Sequence, residues 1–444
     1  MFDLIIIGAG PGGYEAALYA GKKGKKVLLI EKEYIGGTCL NVGCIPTKTL
    51  LHSAKIYHEA LEAHKFGINL KDPAFDMPTV INRKNKIVKQ LTRGVESSLK
   101  VAKVEIAFGP AKILSKGKVA VDGKIYEGAN ILIATGSRPA KPPIPGADSK
   151  FVLDSTGILN IEEIPKSLTI IGGGVIGIEF ASFFSSVGTK VTVIEMLDKI
   201  CPGIDGEIAR MLQRSLKKDG VDFFLSAKVE NIKSNKVIFT QNNQHQEKAS
   251  DLILLATGRT PNLEGLGLDE ITVDYDRTGI KVDKAGQTNI SGIWACGDVT
   301  GRCLLAHSAT REGQVAVNNM FGDKDQMSYR AMPGVVYSHP EVASVGLTEE
   351  EAIEKNIDYK VIKKPLGIAG RFLVENEGKT GTCKVLLGKK YNEVLGVHII
   401  GGSCSEMIWG AVTFIENEMC VNDIKQIIFP HPTVGEAIKE TIIH

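Results

Sequence analysis

Phe2-Asp3-Leu4-Ile5-Ile6-Ile7-Gly8-Ala9-Gly10-Pro11-Gly12-Gly13 opens a unit that closes at Val27-Leu28-Leu29-Ile30-Glu31. Leu168-Thr169-Ile170-Ile171-Gly172-Gly173-Gly174-Val175-Ile176-Gly177 opens it a second time, and Val191-Thr192-Val193-Ile194-Glu195 closes it. Each copy runs from an apolar strand through a glycine turn to a helix pattern, a second strand and an acid. In the first copy Gly8 permits a tight turn, Gly10 lets the backbone approach a pyrophosphate, and Gly13 lets helix pack on strand. The free amides at the start of the helix then face the phosphates. Glu31 can accept a hydrogen bond from a ribose hydroxyl. Gly172, Gly174, Gly177 and Glu195 repeat those positions with a constant shift of 164 residues. A lone glycine triplet is often only a turn; two copies, each with its acid at one fixed distance, indicate two dinucleotide sites.

Further matches extend the repeat. Ile131–Ile133 runs into Ala134-Thr135-Gly136-Ser137, and Leu252–Leu255 runs into Ala256-Thr257-Gly258-Arg259. The expected fold is α/β, with two Rossmann-like dinucleotide-binding domains and a carboxyl-terminal α+β domain. One nucleotide is read as a flavin and the other as a nicotinamide. Glu195 selects between nicotinamides. A carboxylate about 4 Å from the 2′-phosphate of NADP costs roughly 4 kcal/mol at an effective dielectric of 20. Met196, Leu197 and Asp198 follow it, with no arginine to offset that cost. NAD is expected.

Composition excludes several classes. The 444 residues carry a net charge of +2, which gives no reason to expect a nucleic-acid or membrane partner. No stretch reaches the roughly 18 apolar residues of a membrane span, and the chain enters a strand-length apolar run directly after Met1. Eight scattered cysteines do not form a secreted disulfide framework. A cytoplasmic protein is expected, with no metal.

Only Cys39 and Cys44 lie close together in a suggestive setting, Gly36-Gly37-Thr38-Cys39-Leu40-Asn41-Val42-Gly43-Cys44-Ile45-Pro46-Thr47-Lys48. Residues five apart in a regular helix have Cα atoms about 8.6 Å apart. That exceeds the limit of about 7 Å for a disulfide. A bridge needs a distorted turn, for which Gly37, Gly43 and Pro46 are suited; two unbonded cysteines in a turn fit the spacing as well.

This segment resembles the redox-active motif of the flavin-dependent pyridine nucleotide–disulfide oxidoreductases. The resemblance covers almost the whole chain. It implies FAD and NAD as cofactors and a redox disulfide between Cys39, the interchange thiol, and Cys44, the thiol beside the flavin. It implies that Lys48 lies near the flavin and pairs with Glu179. It places Gly12, Lys32, Gly37, Thr38, Ala111, Thr135, Gly136 and Ser137 at the flavin site, and Val175, Ile176, Val229 and Gly258 at the NAD site. Gly292–Asp298 resembles the family's second flavin motif, with Asp298 on the ribityl chain. Leu304-Leu305-Ala306-His307 resembles the segment of its lipoamide-linked branch, where His307 positions the flavin. The implied domains are residues 1–142 for FAD, 143–262 for NAD, 263–328 completing the flavin site, and 329–444 for the interface.

Beyond Tyr329 the pattern becomes a mostly antiparallel sheet. Its residues Pro333–Glu341 resemble the family's interface domain, with His339 structural. His431-Pro432-Thr433-Val434-Gly435-Glu436 carries two compatible readings. Thr433 and Glu436 have capping-box spacing. The resemblance makes His431 the general acid/base and Glu436 its partner, a pairing that favours imidazolium. His431–Pro432 is a candidate cis peptide. Many relatives carry a histidine where this chain has Phe429. The resemblance implies a homodimer with shared active sites, acting on a lipoyl-bearing carrier of a 2-oxo acid dehydrogenase or glycine cleavage complex. A glutathione-reductase-like enzyme is the nearest rival, and it should carry arginines in place of Met196–Asp198.

Overall fold

The computed structural model describes residues 1–443. They form two compact units. The first gathers residues 1–49, 81–140 and 258–328; the second gathers 50–80, 141–257 and the chain from Tyr329 onward.

The first unit is built on Phe2–Ile7, which pairs in parallel with Val27–Glu31 and with Lys124–Ile133. Glu105–Phe108 and Ile293–Ala295 extend the parallel sheet on its two sides. Leu4 and Ile6 enter one core and Ile5 and Ile7 the other, as the alternation of a strand requires. Both faces are covered, which is why the strand reads as an unbroken apolar run. Helix α1 (Pro11–Lys22) starts with proline at a position that needs no amide donor. It buries Gly12, Gly13, Ala16, Ala17 and Ala20, all small enough for close approach to its neighbours. Helices α2 (Gly37–Val42) and α3 (Cys44–Glu62) follow, and α3 runs on into the second unit. Helix α4 (Met77–Val101) leads back to the first unit. An antiparallel pair, Ala111–Ser115 and Lys118–Val121, precedes the long strand Lys124–Ile133.

The second unit repeats the plan. Asp222–Phe224, Lys190–Ile194, Ser167–Ile171, Leu252–Leu255 and Val152–Asp154 make a parallel sheet in that order. Helix α5 (Val175–Ser186) follows its glycine turn, and α6 is Gly206–Lys218. The repeat extends to single hydrogen bonds. The Gly8 amide donates to Ile30 O at 2.7 Å, and the Gly172 amide to Ile194 O at 2.9 Å. The Ala134 and Ala256 amides reach Ile7 O and Ile171 O, both at 2.8 Å. A separate three-stranded antiparallel sheet, Ala227–Lys233, Lys236–Gln241 and Gln244–Ala249, precedes Leu252–Leu255.

The same unit holds the expected carboxyl-terminal sheet, ordered Gly334–Val336, Val342–Gly346, Val394–Ile400, Thr382–Gly388 and Tyr359–Pro365, antiparallel throughout. Cys404–Glu416, Val421–Lys425 and Glu436–Ile443 are its last helices. Phe429 packs against the apolar core of this sheet, with Phe414 at 6.4 Å between ring centres. A histidine there would face hydrocarbon.

One buried charge ties α6 to this sheet. Lys384 is 1% exposed, and its ammonium lies 2.9 Å from Asp205, 2.5 Å from Glu349 and 3.3 Å from Glu207. Asp205 also caps α6 by accepting from the Glu207 amide at 3.1 Å. Removing only the cation leaves the buried Asp205 carboxylate uncompensated, at a cost of about 3–5 kcal/mol. Lys384→Met is therefore expected to lower the thermal midpoint by several degrees. A midpoint within about 1 °C of wild type, followed by circular dichroism, would count against that account.

Candidate active site

The two cysteines are joined. Cys39 and Cys44 form a disulfide with Cα atoms 4.6 Å apart. The chain reaches this distance by interrupting the helix. α2 stops at Val42, Gly43 takes φ −142°, ψ −108°, and α3 restarts at Cys44. A Cβ at Gly43 would stand 2.9 Å from Thr38 O, so a larger residue would open the turn. The disulfide loop is pressed onto the first glycine turn. The Gly36 amide donates to Ala9 O, and a Cβ at Gly37, where φ is +60°, would stand 2.5 Å from Gly10 Cα.

The glycine turns fit dinucleotides. Gly8 and Gly172 have φ of +105° and +111°, and a Cβ at either would sit 2.3 Å from a carbonyl oxygen, of Ala134 and Ala256. Gly174 has open space where a Cβ would be, as a backbone approaching a pyrophosphate needs. Both acids are held in place. Glu31 accepts from the amides of Ala9 at 2.7 Å, Lys32 at 2.9 Å and Glu33 at 2.8 Å. Glu195 accepts from Gly173 at 2.5 Å and Leu197 at 2.7 Å. Each carboxylate thus clamps its own glycine turn and retains acceptor capacity for a sugar hydroxyl.

The first unit also assembles a polar knot that the sequence reading only partly named. Ser137 Oγ donates to Asp298 at 2.5 Å. Arg259 donates through Nε to Ser137 Oγ and through Nη2 to Ser137 O, both at 2.7 Å. Its guanidinium lies 3.7 Å from Asp298. The resemblance places Ser137 and Asp298 near the flavin, whereas Arg259 reads in sequence only as the end of a turn. The antiparallel pairing of Arg259–Pro261 with Ser137–Pro139 brings it there. Thr135 is fixed by Asn262, which exchanges two hydrogen bonds with it. The Gly297 amide donates to Glu312 at 2.6 Å, on the helix Ala306–Met320 that carries His307 in its first turn. Leu304 is exposed just ahead of that helix and Leu305 caps it. Ala111 is a buried strand-leading residue of the same unit, and Thr38 lies in α2. Arg259→Met should release bound flavin more readily, with a Kd raised about tenfold, since a hydrogen bond to a charged group contributes roughly 1.5–3 kcal/mol. An unchanged Kd by fluorescence titration would remove Arg259 from the site.

In the second unit Val175, Ile176 and Gly177 open α5, and Val229 lies on Ala227–Lys233. Glu179 is 3% exposed on α5, and its carboxylate accepts the Tyr337 amide at 3.0 Å. Lys48 sits on α3 four residues past Cys44, on the same face. Gly258, expected at the NAD site, falls in the first unit together with Arg259.

The histidine–carboxylate pair is present. His431 Nδ1 lies 2.9 Å from Glu436 Oε1, and the histidine is 79% exposed. Glu436 also accepts the Thr433 amide at 2.9 Å. That amide, followed by His431, holds the Glu436 carboxyl below its usual range. Only this half of the capping box forms. The helix begins at Glu436 itself, and Thr433 Oγ1 donates to Pro430 O at 2.8 Å instead. His431–Pro432 is cis, as is His339–Pro340. His339 is a packing residue: burial pushes its pKa down to about 4, and its ring lies 4.8 Å from that of His58.

Known proteins share this arrangement. Residues 2–313 match the pyridine nucleotide-disulphide oxidoreductase family, and residues 332–442 match its dimerisation domain. The chain is 40% identical to dihydrolipoyl dehydrogenase 3 of Pseudomonas aeruginosa, over 99% of this chain and 97% of that one. It is 37% identical to dihydrolipoyl dehydrogenase of Bacillus subtilis, over 99% and 98%. Among solved structures, the HOCl-induced flavoprotein disulfide reductase RclA from Escherichia coli superposes with a TM-score of 0.88 at 31% identity, covering 99% of both chains. With a disulfide seated on a glycine turn, two copies of the dinucleotide device and a match over nearly its full length, the chain belongs to the pyridine nucleotide-disulphide oxidoreductases.

Proposed function

We propose that the chain is a flavin-dependent dihydrolipoamide dehydrogenase. It oxidises protein-bound dihydrolipoamide to lipoamide and reduces NAD. The observation that carries this reading is the Cys39–Cys44 disulfide seated on the first glycine turn. The relatives named for the same activity, alike over 99% of the chain, support it.

Residues 1–142 hold FAD, with residues 263–328 completing its site. Residues 143–262 hold NAD, apart from Gly258–Asn262 at their end, which return to the flavin unit, and residues 329–444 form the interface of a homodimer with shared active sites. No helix among the described residues is long and apolar enough to cross a membrane. We place the enzyme in the cytoplasm, the reducing compartment in which a lone cysteine pair is catalytic rather than structural. The carrier partner is the lipoyl-bearing protein of a 2-oxo acid dehydrogenase or glycine cleavage complex.

His431 takes a proton from one thiol of dihydrolipoamide, and Glu436 stabilises the resulting imidazolium. The thiolate attacks Cys39 Sγ, the Cys39–Cys44 bond breaks, and Cys44 leaves as thiolate. The second substrate thiol displaces Cys39 and closes lipoamide, its proton passing to the departing Cys39 Sγ while the first stays on His431. Two electrons and two protons have then left the substrate, and the cysteine pair is reduced. Bound FAD would supply the acceptor for the electron pair of the reduced cysteines and the hydride donor for NAD. Lys48 and Glu179 fix the charge beside the flavin, and Glu195 orients the adenosine ribose.

A panel of dihydrolipoamide, glutathione disulfide and peroxide against both nicotinamides tests the proposal. NADH formation from dihydrolipoamide should dominate. NADP should be used roughly 10²–10³-fold less well, from the charge repulsion at Glu195. Faster turnover of glutathione disulfide with NADPH would overturn both assignments.

A further inference from the structure

Helix α4 has an unpartnered basic face. Within residues 83–103 seven side chains are Lys or Arg and one, Glu96, is acidic, although the whole chain is nearly neutral at +2. At 100° per residue, Lys86, Lys89, Arg93 and Lys100 fall within about 60° of one another, along roughly 21 Å of helix. All four are exposed, and none of them is in an ion pair among the described residues. Ile81 and Leu99, both buried, lie about 110° round the helix from the middle of the band. Glu96, also exposed, stands about 50° from the middle of the band, so one carboxylate accompanies four cations on this face. Charges this close reinforce one another, because their spacing is comparable to the Debye length of about 8 Å.

The same helix braces the redox loop. Thr92 Oγ1 donates to Asn41 Oδ1 at 3.3 Å, and Asn41 lies between the two cysteines in sequence. Asn41 in turn donates to Ile35 O at 3.0 Å and Gly37 O at 2.9 Å. Arg83 donates to Thr49 O at 3.4 Å on α3. By the helical angle Thr92 stands about a quarter-turn from the middle of the basic band. A protein seated on that band lies beside the support of the disulfide.

We propose that the exposed basic face of α4 docks a carrier domain of net negative charge while its lipoyl arm is oxidised. This rests on the dihydrolipoamide reading above. A lipoyl group on a long flexible lysine needs its domain held near the disulfide but not immobilised. A band of exposed lysines suits that: screened rim charges speed encounter and set its salt dependence without slowing release. The small-molecule substrate has no such domain and gains nothing from the band.

The experiment compares wild type with Lys86→Glu/Lys89→Glu/Arg93→Glu, using free dihydrolipoamide and a reduced, lipoylated carrier domain of net negative charge. The KM for the carrier should rise about tenfold at low salt, with kcat unchanged, and the difference should vanish as ionic strength reaches roughly 0.5 M. Parameters for free dihydrolipoamide should not move. Gln at the same three positions should give a smaller rise in the same direction. An unchanged carrier KM overturns the proposal, as does an equal change for the free substrate. Conversion of the variant from dimer to monomer in sedimentation would instead mark the band as a self-association face. Loss of binding to phosphatidylglycerol vesicles with the carrier KM intact would mark it as a membrane face. If wild type leaves free dihydrolipoamide unoxidised, the activity assignment itself fails, and docking with it.

Discussion

Cys44→Ser is expected to lower dihydrolipoamide oxidation by NAD more than about 10³-fold, the scale on which loss of a covalent participant is felt. Without Cys44 there is no disulfide for the substrate thiolate to break, so the electron pair has no entry point. Cys39→Ser removes the same bond and should be as inactive in turnover. A spectrum separates the two. The Cys44 thiolate beside the flavin is what gives the reduced enzyme its long-wavelength band in the proposed assignment. Cys39→Ser should therefore show that band without added reductant, and Cys44→Ser should not show it even after two-electron reduction. If the band followed Cys39 instead, the roles of the two sulfurs would be exchanged. If both variants kept wild-type turnover, no dithiol step would remain in the reaction. The geometry makes the experiment clean. The loop is held by the Gly36 amide on Ala9 O and by the contact of Gly37 with Gly10, so a single serine leaves its backbone anchors in place.

Much of the fold could be read because it is written twice. The shift between Gly8 and Gly172 predicted a duplicated strand, turn and helix, and the same backbone bonds recur at both glycines. The apolar runs at Phe2–Ile7 and Ser167–Ile171 are strands buried on both faces, the easiest kind to recognise. The antiparallel strands before Lys124–Ile133 and Leu252–Leu255 were not visible. Segments such as Gln244–Ala249, which reads Gln-His-Gln-Glu-Lys-Ala, present no apolar face to count. The disulfide was a matter of local geometry. Spacing alone permitted two free thiols, and only the break at Gly43 brings the Cα atoms to 4.6 Å.

Long-range side-chain pairings were the least legible. Arg259 reaches Ser137, 122 residues earlier in the chain, through a short two-stranded sheet that no periodicity announces. The Lys384 cluster joins residues as far as 179 apart. Each of its members reads singly as a surface charge. The basic band on α4 escapes a linear reading for a related reason. Its cations are spread over 15 residues and become one face only when wound into a helix.

His431→Gln is expected to slow dihydrolipoamide oxidation about 10²–10⁴-fold, the usual worth of a positioned general acid/base, while leaving reduction of an artificial dye by NADH nearly intact. The contrast follows from where protons move. Dye reduction draws electrons through the flavin from NADH and requires no substrate thiol to be deprotonated. Lipoamide chemistry requires two such deprotonations, and His431, exposed and 2.9 Å from Glu436, is free to meet a thiol from outside its own segment. Glu436→Gln keeps the shape of the pair and removes its charge. It should cost less than His431→Gln, on the order of tenfold, because the imidazole remains and loses only the stabilisation of its protonated form. The pH dependence has a definite sign. The folded-state pKa of Glu436 is depressed, so the pairing is fully present above the ordinary carboxylate pKa. It is lost only as pH falls through the lowered value. Acid inactivation by this route therefore begins below the range in which a free glutamate would protonate, and Glu436→Gln should abolish that limb of the profile. Equal losses in the lipoamide and dye assays for His431→Gln would remove the thiol-proton role and leave His431 as a structural residue of the interface domain.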